Sequence, residues 1–429
     1  MPFSQPLIAL PAALAGLALV GVAPVGDARS DATPVTIEAT RRGFELLRGG
    51  EPYFVKGVGG DRYLDQLAAA GGNSIRTWGL GRRTKRLLDE AHAEGLTVTL
   101  GIWLARVGTG FDYGSEPERE RQASEVREAV ERYRDHPALL FWALGNEAEG
   151  DGNDPRYYEQ LESLARLVGE LDPDHPTMTV IAELGADGKK VRDLDRLAPS
   201  IDVIGVNSYG SIESVPERYR SAGGERPYVV TEHGTRGHWE SPRTEWGTPI
   251  EWSSTEKSAL YRSGYEEAVL DQPLCLGAYT FLWGQKQETT ATWFGMFLAD
   301  GTRLAPVDVM TELWSGEPPE NRVPEIVSLT VDRDRGAPGT AVRAQLKAKD
   351  PDRDRLKVEW VLRAASPGTG TYGAREDVLK EFPRAFVSAK SKGAKIRLPK
   401  EPGPYRLFAY VRDGKGNGAV HNVPLLVEE

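Results

Sequence analysis

Between residues 53 and 283, apolar runs rich in β-branched and aromatic residues alternate with stretches of helical period. The runs fall at 53–58, 73–78, 97–104, 138–145, 177–184, 201–207, 227–231 and 276–283. They read as near-continuous apolar segments, the pattern of strands covered on both faces. Between them, Leu64, Leu67 and Ala68, then Leu87, Leu88 and Ala91, then Leu161, Leu164, Ala165 and Val168 recur at the three-and-four spacing of one helix face. Strand and helix repeat without hairpin signals, which requires parallel pairing. Eight such units favour closure into a (β/α)8 TIM barrel over an open doubly wound sheet. The charge run at 116–135 fits the solvated face of one barrel helix.

The flanks read differently. Residues 31–52 suggest short strands with a turn at Gly49 and Gly50, closing the bottom of the barrel within a domain over 31–316. A Pro-rich polar linker follows at 317–323. Over 324–429 the alternating runs IVSLTV, AVRAQLKA, LKVEWVL and YRLFAYVRD, broken by Gly, Pro and Asp clusters, predict a small all-β, immunoglobulin-like sandwich. Residues 1–30 form an apolar stretch with small residues near Ala23 and Ala28, the pattern of a signal peptide, although no Lys or Arg precedes it and an N-terminal anchor stays open. The expected location is secreted or periplasmic, with no stable membrane partner unless the leader is uncleaved.

Composition narrows the chemistry. Across 429 residues, 63 acidic groups against 53 basic ones give a net charge of −10, which argues against nucleic acid or an anionic membrane surface as a partner. Cys275 is the only cysteine, so the chain forms no internal disulfide. GVGGD at 57–61 lacks the spacing of a dinucleotide fingerprint, and neither GxxxxGK[ST] nor HExxH nor a cysteine cluster occurs. The expectation is therefore no cofactor and no catalytic metal.

Two glutamates close apolar runs: Glu147 in HPALLFWALGNE and Glu232 in RPYVVTEHG. A pair of carboxylates on a rigid frame can cleave a glycosidic bond, one as acid and the other as nucleophile, and strand ends of a barrel supply that frame. Position alone leaves the order of the two roles open.

The strings carry a resemblance. DHPALLFWALGNE resembles the fourth strand of clan A glycoside hydrolases, particularly family two; PYVVTEHG resembles the nucleophile strand, GAYTFLWG the last strand, NSIRTWG the second and VIGVNSYG the sixth. The resemblance spans roughly residues 45–314. It implies a retaining β-glycoside hydrolase with Glu147 as acid/base and Glu232 as nucleophile. It further implies Asn146 on the sugar's 2-hydroxyl, Arg76 and Tyr209 on Glu232, and Trp283 as the floor of the subsite. The expected partner is a β-linked oligo- or polysaccharide. A β-glucan transglycosylase using the same residues and a non-catalytic glycan-binding envelope protein are the alternatives.

Further residues carry two readings each. Trp78 and Trp103 stand at strand ends suited to sugar stacking, or to core packing. His233 contacts a sugar hydroxyl or orients its loop. Glu183 is a rival carboxylate or a helix cap, and Trp239, Trp246 and Trp252 line subsites or pack a lid. Two departures from family two stand out. No jelly-roll or immunoglobulin-like segment fits within 31–52, and the first strand reads KGVGGDRY, where Asp61 stands in for an Asn and His pair. The C-terminal segment resembles fibronectin-like, cadherin-like and polycystic-kidney-disease-type modules; this implies a spacer or glycan-gripping role, with Asp350, Asp352 and Asp354 as a weak calcium signal.

Overall fold

Eight parallel strands close a barrel in the computed structural model, which describes residues 32–185, 187–366 and 376–429. The leader read at 1–30 lies outside the described residues. A hairpin comes first: β1 (Val35–Thr40), β2 (Gly43–Arg48) and the short β3 (Glu51–Pro52). The barrel strands are β4 (Val55–Gly59), β5 (Ser74–Arg76), β6 (Thr97–Ile102), β7 (Leu139–Leu144), β8 (Thr177–Ala182), β9 (Val203–Asn207), β10 (Tyr228–His233) and β11 (Cys275–Thr280). They run in chain order around the barrel, and β11 pairs in parallel with β4 to close it.

One helix follows each strand: α1 (Leu64–Ala69), α2 (Thr84–Ala93), α3 (Glu116–Tyr133), α4 (Pro155–Leu171), α5 (Lys189–Leu197), α6 (Val215–Ser221), α7 (Ser254–Ala268) and α8 (Ala305–Ser315). Leu161, Leu164, Ala165 and Val168 of α4 are buried against the sheet, the face their spacing predicts. The 116–135 run is α3, which buries Val126, Ala129 and Val130 and turns its charges outward. Among the described residues no helix is long and apolar enough to cross a membrane. Cys275 is a buried free thiol, pushed up to about 12 by burial.

The barrel's lower interior is packed and plugged. Val55, Leu140, Phe141, Val180, Val229, Leu276 and Tyr279 fill it, and Val35 and Leu46 of the hairpin seal it from below. Tyr279 lies across this layer, its hydroxyl 2.5 Å from Thr99 Oγ1 and 2.9 Å from Ser74 Oγ. Gly57 makes room for it: a Cβ there would meet the Tyr279 ring at 2.4 Å.

Beyond α8, two four-stranded sheets form a sandwich, as the pattern predicts. One contains β12 (Glu325–Val331), β14 (Ala341–Lys349), β17 (Gly393–Arg397) and β16 (Phe386–Lys390) in that order. The other contains β13 (Arg335–Gly336), β19 (Gly418–Val427), β18 (Gly403–Arg412) and β15 (Lys357–Ala364). Leu346, Trp360, Leu362, Ile396, Leu407 and Val411 form their shared core. A separate apolar patch joins the two folds, Leu298 and Leu304 of the barrel's last loop against Phe408, Tyr410 and Val420.

Candidate active site

A cleft of about 950 Å³ opens at the C-terminal end of the barrel strands, lined among others by Trp78, Trp103, Asn146, Glu147, Tyr209 and Glu232. Those six strand-end residues were singled out by sequence. Arg76 lies just beneath them, 1% exposed at the end of β5.

The two glutamates reach the cleft by local irregularities of backbone. Glu147 follows Gly145 (φ 78°) and has φ 52° itself, a left-handed turn that a non-glycine residue adopts at some cost. Backbone bonds hold that turn from two sides, Gly145 N donating to Ile102 O at 2.9 Å and Glu147 N to Val180 O at 2.8 Å. Buried Glu149 anchors the next turn by accepting Ala182 N and Lys190 Nζ. Glu232 depends on a bulge. The register of β10 shifts between Val230 and Glu232 against β9, and between Val230 and His233 against β11. An extra residue in a strand re-aims the side chains beyond it. Thr231 and Glu232 therefore both face the site, Thr231 Oγ1 donating to Asn207 Oδ1 at 2.8 Å.

The two carboxylates have opposite surroundings. Glu232, 6% exposed, accepts three donors: Trp78 Nε1 at 2.7 Å and Arg76 Nη1 at 3.1 Å on Oε1, and the Tyr209 hydroxyl at 2.6 Å on Oε2. The three donors fix both oxygens of this carboxylate in place at the cleft. Burial and the adjacent Glu232 charge push the Tyr209 phenol well above its ordinary range, which keeps it a donor. Glu147 accepts Asn207 Nδ2 at 2.8 Å. Burial, followed by the negative charge of Glu232, pushes its carboxyl up to about 7.

Asn146 is oriented by its neighbours. Its Oδ1 accepts Arg76 Nη2 at 2.6 Å and Asn207 Nδ2 at 3.2 Å, which fixes the amide flip and leaves Nδ2 as the donor. Asn207 is a site residue that sequence reasoning missed, although it too is a polar residue ending an apolar run. With 2% exposure it links the Asn146–Glu147 pair to β10.

Two sequence-predicted site residues do not reach the cleft. Trp283 is 1% exposed and packs outward against Phe297 and Trp314, its indole N–H donating to Tyr63 O at 3.2 Å. Strand alternation puts Tyr279 and Phe281 inside, but beyond Thr280 the chain leaves the strand and delivers Trp283 to the helix side. Phe281 takes the place in the cleft, edge-on to Trp78 and Tyr209. His233 is likewise turned out by the bulge, fully buried near Tyr261 and Tyr265, with Nε2 3.1 Å from Thr280 Oγ1. Burial pushes it down to about 3, so it stays neutral and touches no ligand position.

The remaining candidates divide. Trp103 and Trp239 line the cleft and are 61% and 55% exposed. Trp246 lies under Arg335 of the sandwich and Trp252 under Arg236, and neither lines the cleft. Asp61 is exposed outside it. Glu183 lines the wall but is engaged by Ser208, by Ser211 Oγ at 2.8 Å and by Arg218 Nη2 at 2.8 Å. Arg106, Phe294 and a charged trio complete the wall. In that trio Glu288 lies 3.5 Å from His238 Nε2 and 2.8 Å from Lys286 Nζ. Burial alone would raise the Glu288 carboxyl, but His238 and Lys286 hold it below the usual range.

Among the described residues one carboxylate trio is close enough to share a cation, and it lies in the sandwich. Asp350, Asp354 and Asp413 bring oxygens within 4.8 Å of one another, and Lys415 Nζ is 2.8 Å from Asp354. Asp352 turns away to accept Arg322 N.

Residues 86–241 match the model of the glycosyl hydrolases family 2, TIM barrel domain. A β-glucuronidase of Paenibacillus borealis is 29% identical over 241 residues, covering 47% of this chain and 37% of that protein. A probable mannan endo-1,4-β-mannosidase A-2 of Aspergillus terreus is 33% identical over 76 residues, 18% of this chain and 19% of that protein. Among solved structures, a β-D-glucuronidase from Dictyoglomus thermophilum aligns with a TM-score of 0.52 at 20% identity over 66% of this chain and 54% of that one. The chain thus spans about half the length of that structure and just over a third of the Paenibacillus relative. The barrel resembles the family-two catalytic domain in sequence and in fold.

Proposed function

We propose that this family-two-like barrel is a retaining β-glycoside hydrolase, with Glu232 as nucleophile and Glu147 as acid/base. The unequal treatment of the two carboxylates carries the reading. One is surrounded by three donors, while the other is desolvated and shifted to about 7. In the first step Glu147 gives its proton to the leaving oxygen while a Glu232 oxygen bonds to the anomeric carbon and the glycosidic bond breaks. The Glu232 negative charge is then gone, which lowers the proton affinity of Glu147. Glu147 then takes a proton from water, whose oxygen displaces Glu232 from the sugar. Asn146 Nδ2 is the donor for the sugar's 2-hydroxyl, an interaction that strengthens as positive charge builds at the ring.

Glu232→Ala tests this reading. Turnover of an aryl β-glycoside should fall by at least about 10³-fold, and azide, attacking from the face that Glu232 vacates, should restore release of the aryl group with an α-linked glycosyl azide as product. A β-linked azide from Glu232→Ala, or an α-linked one from Glu147→Ala, would exchange the two roles. The first substrates to try are an aryl β-glucuronide and β-1,4-mannan, the sugars in the relatives' names. Secretion or a periplasmic location is also proposed, on the apolar leader at 1–30; the N-terminal sequence of the mature protein checks it.

A further inference from the structure

The C-terminal sandwich touches the barrel on two of the loops that wall the cleft. The first, residues 234–253 after β10, carries His238, Trp239 and Glu240; the second, residues 281–304 after β11, carries Phe281, Lys286, Glu288 and Phe294. Both converge on one buried carboxylate. Glu251 is 2% exposed and accepts four donors: Lys257 Nζ at 2.6 Å and Thr292 Oγ1 at 2.9 Å on one oxygen, Thr290 Oγ1 at 2.7 Å and Asn422 Nδ2 at 2.7 Å on the other. The threonines belong to the second loop, Glu251 to the first and Asn422 to β19 of the sandwich.

The sandwich side of this junction is itself fixed. Arg406 of β18 is 1% exposed; it donates Nη1 to Asn422 Oδ1 at 2.8 Å and Nη2 to Pro249 O at 2.5 Å. The Asn422 amide is thereby oriented with its NH2 toward Glu251. Glu376 grips the second loop a second time, its N donating to Gln287 O at 2.8 Å and its Oε2 accepting Thr289 N at 3.0 Å. From Thr292 the path to the chemistry is short. Trp293 ties the loops together through Arg236 O at 2.9 Å, Phe294 packs on Tyr209 with ring centroids 5.4 Å apart, and the Tyr209 hydroxyl holds Glu232.

We propose that the sandwich is a working part of the catalytic domain, in which Asn422 and Arg406 act as positioning residues that hold, through Glu251, both loops walling the cleft. A tethered spacer needs none of this. A spacer's contacts would be exposed, polar and remote from the barrel mouth, whereas these groups are buried and converge on the loops that face substrate. The inference rests on the glycosidase reading for its kinetic consequence and on geometry alone for its structural one.

The test uses the full chain. Asn422→Asp keeps the shape and the acceptor for Arg406, but sets a carboxylate against Glu251 in place of a donor. Amide exchange should accelerate at least tenfold over residues 236–252 and 285–294, with the strands β4 to β8 unchanged. The kcat/KM for an activated aryl β-glycoside should fall about tenfold, in kcat more than in KM. The double variant Asn422→Asp/Glu251→Gln moves the carboxylate to the other side of the same contact and should recover most of both effects. If Asn422→Asp does not fold, Asn422→Ala removes the sandwich's donor to Glu251 without adding a charge, with the same readouts expected.

Unchanged loop exchange in a folded Asn422→Asp protein overturns the proposal. So does faster loop exchange with undiminished kcat/KM. A wild-type chain inactive on every β-glycoside sinks the function proposed above, and the exchange measurement still decides whether the sandwich holds the loops.

Discussion

At the residue scale, the position of one proton does most to define this site. Glu147 carries its carboxyl to about 7 because burial penalises its charge and Glu232 adds to that penalty. If Glu147 is the acid, kcat/KM should fall about tenfold per pH unit above roughly 7, since the free enzyme then lacks the proton it must donate. Stability carries the same signature with a definite sign. A folded value above the unfolded 4.5 means that the folded chain binds the proton more tightly. Below about pH 4 both states are protonated and there is no cost; the cost grows as pH rises toward 7 and is constant above it. Glu147→Gln should therefore raise unfolding free energy by on the order of 2 kcal/mol at pH 8 and by almost nothing at pH 4. Denaturant titrations at the two pH values check this, and an equal effect at both would break the link. Both glutamates were legible because charge at the end of an apolar run is conspicuous. Asn207 ends its run in the same way, but a neutral amide carries less signal. Of the two readings of His233 the bulge leaves the packing one, and Trp283 falls outside the cleft because the chain leaves the strand before it; neither a bulge nor a strand end leaves a mark in hydrophobic periodicity.

At the scale of elements, the order of strands around the barrel gives distances that sequence order conceals. Trp103 follows β6 and Trp239 follows β10, strands separated by four positions in a closed ring of eight, so the two exposed indoles stand on opposite sides of the mouth. An extended glycan can lie between them across the carboxylates. Trp103→Ala should cost roughly 2–10-fold in kcat/KM on a polymeric β-glycan, the worth of one aromatic contact, and leave an aryl glycoside within about twofold. Trp239→Ala should reduce both substrates, because the Tyr209 ring packs edge-to-face with Trp239 at 5.6 Å and Tyr209 orients Glu232. Equal losses on both substrates for Trp103→Ala would remove it from the path of the glycan. The barrel strands were readable because burial on both faces leaves little room for polar residues. In the sandwich the quoted runs cover β12, β14, β15 and β18; among the strands they leave out, β16 has four of its five residues exposed at the sheet edge, where no apolar partner imposes a period.

At the scale of the molecule, the question is whether two folds joined by a short connection behave as one. Leu298, Leu304, Phe408, Tyr410 and Val420 bury apolar surface between them, and the Glu251–Lys257 pair lies within the same junction. Burial works against both charges. It pushes the Lys257 ammonium down, and the Glu251 carboxyl stays low because Lys257 and Arg406 offset its desolvation. A buried pair adds little net stability over an apolar pair, but removing one partner leaves the other charged and alone, at a cost of about 3–5 kcal/mol. Glu251→Ala should therefore be severely destabilising, whereas truncating the exposed Glu245 should change almost nothing although it pairs with Arg335. The form of the transition matters as much as its midpoint. Because Glu251 bonds to groups in α7, in the loop after β11 and in β19, its loss should move barrel and sandwich together. Calorimetry of the wild-type chain should give one transition with equal calorimetric and van't Hoff enthalpies, and the Glu251→Ala chain one transition at lower temperature. Two resolved transitions in the wild type, only one of them shifted by the substitution, would mean that the folds are coupled by their connection alone.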